Sequence, residues 1–165
     1  MRNGLKNPEF PIHFLRNSWY VDLNEGLLKS TKKNGVFCYT TDKPGTSYAL
    51  RREYAETGAK VILKDNNSEV LNLARKAVTF PELAKIVEQA LGKKIEVKKV
   101  TLEEFEKYLD DAGATPVVKF GSINMQKYVE GGNNNEELNN VWDFEKTLGH
   151  PLESYVDIMK EYLSA

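Results

Sequence analysis

The chain has 165 residues, 41% of them apolar and 28% charged, which is typical of a globular protein that buries one sizeable core. Its 23 lysine and arginine residues nearly balance 24 aspartate and glutamate residues, and the net charge of −1 disfavours binding to nucleic acid or to an anionic membrane. The single cysteine excludes an intramolecular disulfide and a thiolate-rich metal site. With no secretion signal and no membrane-spanning apolar run, the sequence predicts a cytoplasmic protein.

The first predicted strand follows a loosely held polar leader at residues 1–9. Pro11 to Leu15 have the composition of a short buried strand. The next five residues, Arg16 to Tyr20, place a cation, an amide, a hydroxyl and two large rings where that strand should end. Ligands of open α/β sheets bind at the carboxyl ends of strands, so this cluster is a candidate site. The alternative is that Trp19 and Tyr20 merely open a helix and pack on the core.

The middle of the chain alternates strands and helices. The patterns predict, in order, a helix from Asp22 to Lys33, a strand from Gly35 to Thr41, a turn at residues 42–45, a brief strand from Ser47 to Leu50, a helix from Arg51 and a strand from Glu69 to Ala74. In the turn, we expect Gly45 to supply a positive φ.

Two helices carry complete start signals. Thr79 with Glu82, and Thr101 with Glu104, have the spacing of a capping box, and each is followed by an apolar stripe at helical spacing. Between the two helices, the alternation from Ile95 to Lys98 predicts a half-buried edge strand.

The last third of the chain is less regular. Between residues 114 and 135 the glycines interrupt the apolar pattern, which favours a weakly ordered helix followed by a flexible loop at residues 131–135. A short helix near residues 139–148 and an amphipathic helix from Leu152 to Leu163 follow. With no linker or repeat, the sequence predicts a single domain, residues 1–165.

Conventional catalytic and metal-binding signals are absent from the sequence. His13 and His150 are isolated, so no metal site is predicted, and Cys38 has the setting of a buried strand residue rather than a reactive one. The catalytic residues are unknown at this stage.

Several motifs resemble those of the NmrA-like atypical short-chain dehydrogenase/reductases, a family that includes NAD(P)H-dependent quinone and azo-dye reductases. Four features occur in the family's order: Phe14–Tyr20, which is similar to its Leu-Arg-Asn-x-Trp-Tyr segment; Arg51–Ala55, a helix start; Glu69–Leu73 followed by Thr79–Ala84; and the Gly-His-Pro turn within Leu148–Pro151. Together they cover nearly the whole chain.

The resemblance implies the α/β fold of the C-terminal portion of a Rossmann-like NAD(P)-binding protein, with its substrate-binding subdomain and a mixed short sheet plus helices. The family's Gly-rich nucleotide-binding half is not matched, because no G-x-G-x-x-G or G-x-x-G-x-x-G occurs in the sequence. We therefore expect a truncated chain, or one that uses this half differently, with weak or absent binding of NADP or NAD.

Carried over by position, the resemblance implies that Asn17, Trp19 and Tyr20 bind substrate and that Asn17 and Ser18 lie at the cofactor. Arg16 and Arg51 would pair with carboxylates around the strand ends. In the resembling enzymes, the part corresponding to residues 114–135 helps to wall the substrate pocket. Arg75 departs from the family, which often has glycine after this strand.

Three functional hypotheses follow. The chain is the substrate-binding portion of an NAD(P)H-dependent oxidoreductase for quinone-like or other flat acceptors; a non-catalytic NmrA-like redox-sensing or regulatory module; or a small α/β domain whose pocket has no function. Its expected partners are a small-molecule substrate and either a second copy of itself or a chain that supplies the N-terminal half, because the strand containing Phe14 would otherwise expose an edge.

Overall fold

A computed structural model describes residues 12–43, 45–63, 69–132 and 142–164. The predicted leader at residues 1–9 and most of the predicted loop at residues 131–135 lie outside the described residues.

The described residues alternate short strands with helices, which confirms the predicted α/β class. The strands are β1 (His13–Asn17), β2 (Trp19–Tyr20), β3 (Val36–Tyr39), β4 (Tyr48–Ala49), β5 (Glu69–Leu73) and β6 (Glu96–Lys99). A 3₁₀ turn (Val21–Asn24) precedes the first α-helix, and the helices are α1 (Glu25–Asn34), α2 (Arg51–Ile62), α3 (Phe80–Leu91), α4 (Leu102–Asp111), α5 (Pro116–Glu130), α6 (Trp142–Leu148) and α7 (Tyr155–Ser164).

Within the described residues the strands form three parallel pairs, β1 with β5, β2 with β4 and β3 with β6. One antiparallel bridge joins Thr46 to Val78. In the first pair the register runs from His13 opposite Glu69 to Asn17 opposite Leu73. The carboxyl ends of β1 and β5 therefore coincide, and the chain leaves both strands at the same edge.

The buried side chains form two clusters. The larger contains residues of β3, α1, α3, α4, α5 and α7, with Phe37, Leu83 and Phe105 fully buried. The smaller is built on Tyr54, Leu73 and Phe144 and lies where α2 and α6 pack against each other and against the β1–β5 pair. The β1–β2 junction lies between the two clusters.

The prediction that β1 is buried is wrong for one of its faces. Leu15 and its partner Leu71 pack on the smaller cluster, whereas Phe14 and Val70, opposite each other on the other face, are each 49% exposed. An apolar run predicts burial of both faces, but α2 and α6 cover only one. Strand β6 is likewise more exposed than its alternation predicts, with Val97 46% exposed.

Helix α5 corrects the expectation of a weakly ordered helix. It runs regularly for 15 residues, begins with Thr115 as N-cap and has Pro116 in its first turn. Gly121 does not break it: an added Cβ there would lie 3.7 Å from Leu23 Cδ2, in ordinary contact with the 3₁₀ turn. Gly121 therefore lies where α5 packs against the 3₁₀ turn. In the sequence, the same glycine interrupts the apolar pattern and suggests a break in the helix.

Candidate active site at the β1–β2 junction

The candidate site forms where the chain passes from one strand pair to another. Ser18 donates its backbone N–H to the carbonyl of Leu73, 3.0 Å away, at the end of β5. The next N–H, of Trp19, is donated to the carbonyl of Ser47, 3.2 Å away, beside β4. This exchange of partners turns the backbone at Ser18 and places Asn17, Trp19 and Tyr20 at the carboxyl end of β1.

The hydroxyl of Ser18 is used within the fold. It accepts a hydrogen bond from the hydroxyl of Ser47 at 2.7 Å and donates one to the Ser47 carbonyl at 3.0 Å. Both contacts fasten β1 to the segment before β4. Of the two residues predicted to face a cofactor, Asn17 is the one with an exposed side chain, and Ser18 chiefly fixes the junction.

Asn17, Tyr20 and Arg51 form one group of contacts. The side-chain amide of Asn17 donates to the Tyr20 hydroxyl at 3.2 Å, and the guanidinium carbon of Arg51 lies 4.2 Å from the centre of the Tyr20 ring. Arg51 also pairs with Asp22 at 2.5 Å, and this hydrogen bond raises the pKa of Arg51. A half-exposed ring with a polar edge and a cation on its face can hold a flat, electron-poor molecule.

The rings of Trp19 and Tyr20 point to opposite faces of β2, as neighbouring residues of a strand must. Trp19 packs edge-on against Tyr128 of α5, with ring centres 4.8 Å apart, and joins the larger cluster. Tyr20 packs edge-on against Tyr54 of α2 at 5.2 Å and joins the smaller one. The structure thus brings Asn17 into contact with Tyr20, whereas the Trp19 ring lies on the opposite face of β2.

Sequence reasoning missed Tyr54 and Tyr128, which fix the two rings. Both lie on helices distant in sequence, and their contacts are not encoded locally. For Tyr128 a usable signal existed: Met125, Tyr128 and Val129 have helical spacing across the region expected to be weakly ordered. The predicted pairing of Arg51 with a carboxylate is confirmed, whereas Arg16 is exposed and forms no ion pair within the described residues.

Two described cavities lie at other strand ends. One, of about 470 Å³, follows β5 and is lined by basic, acidic and aromatic side chains that include Arg75, Lys85 and Tyr155. The other, of about 450 Å³, follows β3 and β6. Arg75, the departure noted from the sequence, stacks on Tyr155 at 4.1 Å and donates to the carbonyl of Glu153, so it ties the end of β5 to α7.

Away from the junction, each of the two histidines lies beside a carboxylate. His13 lies 3.5 Å from Glu69, and His150 lies 3.3 Å from Glu56. Within the described ranges, no group of three or more histidine, cysteine, aspartate or glutamate side chains is arranged to hold a metal ion. Cys38 is buried as predicted, and burial raises the pKa of its thiol.

Comparison with solved structures gives the fold relatives of this arrangement. A triphenylmethane reductase from Citrobacter sp. superposes with a TM-score of 0.75 at 27% identity, over 95% of this chain and 54% of the reductase. An NADPH-dependent quinone oxidoreductase from Escherichia coli gives 0.70 at 22% identity, over 90% and 54%. A nucleoside-diphosphate-sugar epimerase from Staphylococcus aureus gives 0.68 at 20%, over 90% and 51%. The predicted resemblance to the NmrA-like reductases is confirmed.

This chain spans about half the length of these three structures. No protein-family profile and no curated protein matches it. In the part of the chain that the structure describes, no helix is both long enough and apolar enough to cross a membrane.

The expectation that the Tyr-x-x-x-Lys proton-donor motif of ordinary short-chain dehydrogenases is absent is wrong for its spacing, because Tyr39 and Lys43 stand four residues apart. Tyr39 is the last residue of β3 and Lys43 lies in the following turn, so the two do not share a helix face as i and i+4 residues would. The Tyr39 hydroxyl donates to Asp42 at 3.1 Å. Burial and this hydrogen bond raise the pKa of Tyr39, which makes it a poorer proton donor. Tyr39 and Lys43 therefore do not have the geometry of the catalytic tyrosine–lysine pair.

Proposed function

We propose that this chain is the substrate-binding portion of an NAD(P)H-dependent oxidoreductase that acts on quinone-like or other flat acceptors. The contact of Asn17 and Arg51 with the Tyr20 ring at the carboxyl end of β1 carries the proposal. The likeness in fold to reductases of quinones and triphenylmethane dyes supports it. An acceptor at the junction would lie against the Tyr20 ring, while the Trp19 indole lies on the opposite face of β2.

The residues present fit one end of a nicotinamide cofactor only. Asn17 offers an exposed amide whose oxygen has no hydrogen-bond partner among the described residues and can accept one from the nicotinamide end, whereas the sequence contains no G-x-G-x-x-G motif for a pyrophosphate. When bound, the cofactor supplies the hydride, and the protein contributes orientation and electrostatics. For this chain, those contributions are the placement of the acceptor at the Tyr20 ring and the positive charge of Arg51, which lies over one face of that ring.

The exposed side of the β1–β5 pair supports the further proposal that the chain works with a second copy of itself or with a chain that supplies the N-terminal half. Within the described residues β1 has β5 as its only strand neighbour, so its other edge is open to pairing. Phe14 and Val70 add an uncovered apolar face beside that edge. A polypeptide seated there would reach the carboxyl end of β1, where Asn17 lies.

Acceptor binding tests the assignment of the junction. In a Trp142→Phe background, Trp19 is the sole tryptophan, and we expect its fluorescence to be quenched saturably by menadione, a flat naphthoquinone. Tyr20→Leu removes the stacking ring and should weaken binding about tenfold. Tyr39→Phe, which removes a hydroxyl elsewhere, is the control and should bind as the parent does. Equal affinities for Tyr20→Leu and the parent would contradict the proposal.

Cofactor binding is a separate prediction. Without a Gly-rich turn to hold the pyrophosphate, the chain alone should show no micromolar binding of NADPH in calorimetry. Menadione reduction by NADPH should then require an added N-terminal half of an NmrA-like reductase. Micromolar affinity of the chain alone would refute the prediction, and binding of menadione without turnover in the complemented protein would favour the alternative, a non-catalytic redox-sensing module.

A further inference from the structure

The cavity that follows β3 and β6 lies at the carboxyl ends of two adjacent parallel strands, the usual place for a ligand in such sheets. Its volume of about 450 Å³ falls in the range of small-molecule pockets. Val100 and Leu102 supply apolar wall, and Thr40, Gln126 and Lys127 supply polar groups. None of these residues belongs to the β1–β2 junction.

Gln126 is the decisive group, because it is 1% exposed and yet only half satisfied. Its Oε1 accepts from both the backbone N–H and the hydroxyl of Thr40, each at 3.0 Å. A backbone N–H can only donate, so this contact fixes which end of the amide is oxygen. The Nε2 donors have no hydrogen-bond partner among the described residues, and the side chain lines the cavity.

The amino end of α4 provides further donors at the same cavity. Thr101 accepts from the N–H of Glu104, and the Glu104 carboxylate accepts from the N–H of Thr101, so these two groups are satisfied. The N–H groups of Leu102 and Glu103 have no intrahelical partner, as at any helix start. The helix dipole adds partial positive charge there. This helix end would be ordinary by itself; the half-satisfied Gln126 beside it indicates a ligand.

The surrounding charges restrict the class of ligand. Lys127 forms no ion pair within the described residues, so its ammonium is available to an anion. Glu130, one turn further along α5, lines the same cavity, and Glu103 and Glu104 lie in the first turn of α4, so these carboxylates oppose a second negative charge. The lining therefore suits one negative charge joined to an apolar body.

We propose that this cavity binds a small organic monocarboxylate, with the carboxylate received by Gln126, Lys127 and the start of α4 and the apolar part lying against Val100 and Leu102. The site is independent of the proposed reductase function. Nothing in it requires NADPH or an acceptor at Tyr20.

Benzoate is a suitable probe, followed by amide chemical shifts of the ¹⁵N-labelled full chain. Saturable shifts are expected at the Gln126 side-chain amide and at the backbone N–H groups of Leu102 and Glu103. Benzyl alcohol, which lacks the charge, and phenyl phosphate, which carries a second one, should each bind at least about fivefold more weakly. Shifts confined to other residues, or tighter binding of phenyl phosphate, would overturn the proposal.

Two variants sharpen this test. Lys127→Glu reverses an exposed charge and should weaken benzoate binding about tenfold, whereas Lys107→Glu, the same change on the exposed side of α4, should leave it unchanged. Gln126→Glu keeps the acceptor for Thr40 and replaces the donor by a repelling oxygen, so it should abolish binding. If Gln126→Glu does not fold, Lys127→Glu decides, and equal affinities for the two lysine variants reject the site. Menadione quenching should be unaffected in the two exposed lysine variants, which separates this result from any failure of the reductase proposal.

Discussion

Replacing Gly45 by alanine is expected to destabilise the fold by about 3 kcal/mol or more, because the new methyl group has no room. A Cβ at this position would lie 1.5 Å from the carbonyl oxygen of Val78 and 2.5 Å from the nitrogen of Thr79. These atoms belong to the backbone, so no change of side-chain rotamer relieves the clash. The alanine must separate the bridge in which Thr46 and Val78 exchange two hydrogen bonds of 3.0 and 3.2 Å.

Urea unfolding followed by circular dichroism measures this loss. Gly121→Ala is the matched control: its Cβ meets Leu23 at 3.7 Å inside α5, so the change should stabilise the protein by about 0.5–1 kcal/mol. A Gly45→Ala protein within 1 kcal/mol of the parent would show that the two segments separate easily. Because Ser47, two residues on, accepts the Trp19 N–H and bonds Ser18, a folded Gly45→Ala variant should also bind menadione less tightly.

The reason for this glycine could not be predicted from its turn. The expectation that Gly45 supplies a positive φ depends on its bond to Pro44, which lies outside the described residues, whereas Gly35 and Gly92 do have a positive φ. Glycine is needed at 45 because two backbone segments approach closely, and the second lies more than thirty residues away. Helix ends, by contrast, are encoded locally: the capping boxes at Thr79 and Thr101 were predicted with the correct residues.

The candidate site shows the same division between local and distant information. The sequence located the junction, because strand composition gives way to polar and aromatic residues at Arg16. It could not show that Trp19 and Tyr20 pack on different clusters, since that depends on which helices cover each face of β2. The cavity at β3 and β6 was not predicted either: Thr40 and Gln126 are 86 residues apart, and neither stands in a recognised motif.

Glu53→Ala is expected to cost about 3 kcal/mol, because one buried carboxylate caps the start of α2 and joins it to the segment before α7. Glu53 is 4% exposed; it accepts from the N–H of Leu50 at the start of α2 and from the N–H of Glu153 before α7, each at 2.8 Å. Alanine leaves both donors without an acceptor in a largely dry setting, which is more costly than loss of the bonds alone.

Two further variants separate this explanation from a general effect of removing charge. Glu53→Gln keeps one carbonyl oxygen as an acceptor but places the side-chain NH₂ group against the other backbone N–H. Two donors then face each other, so the protein should lose about 1–2 kcal/mol of stability. Glu56→Ala, one turn along the same helix and exposed, removes surface pairs with Lys60 and His150 and should lose much less stability than Glu53→Ala. Chemical denaturation of the three proteins gives the order, and equal losses for Glu53→Ala and Glu56→Ala would refute the buried-acceptor account. Arg51 and Tyr54 flank Glu53 on the turn of α2 that contacts Tyr20, so the menadione affinity of Glu53→Gln should fall with its stability.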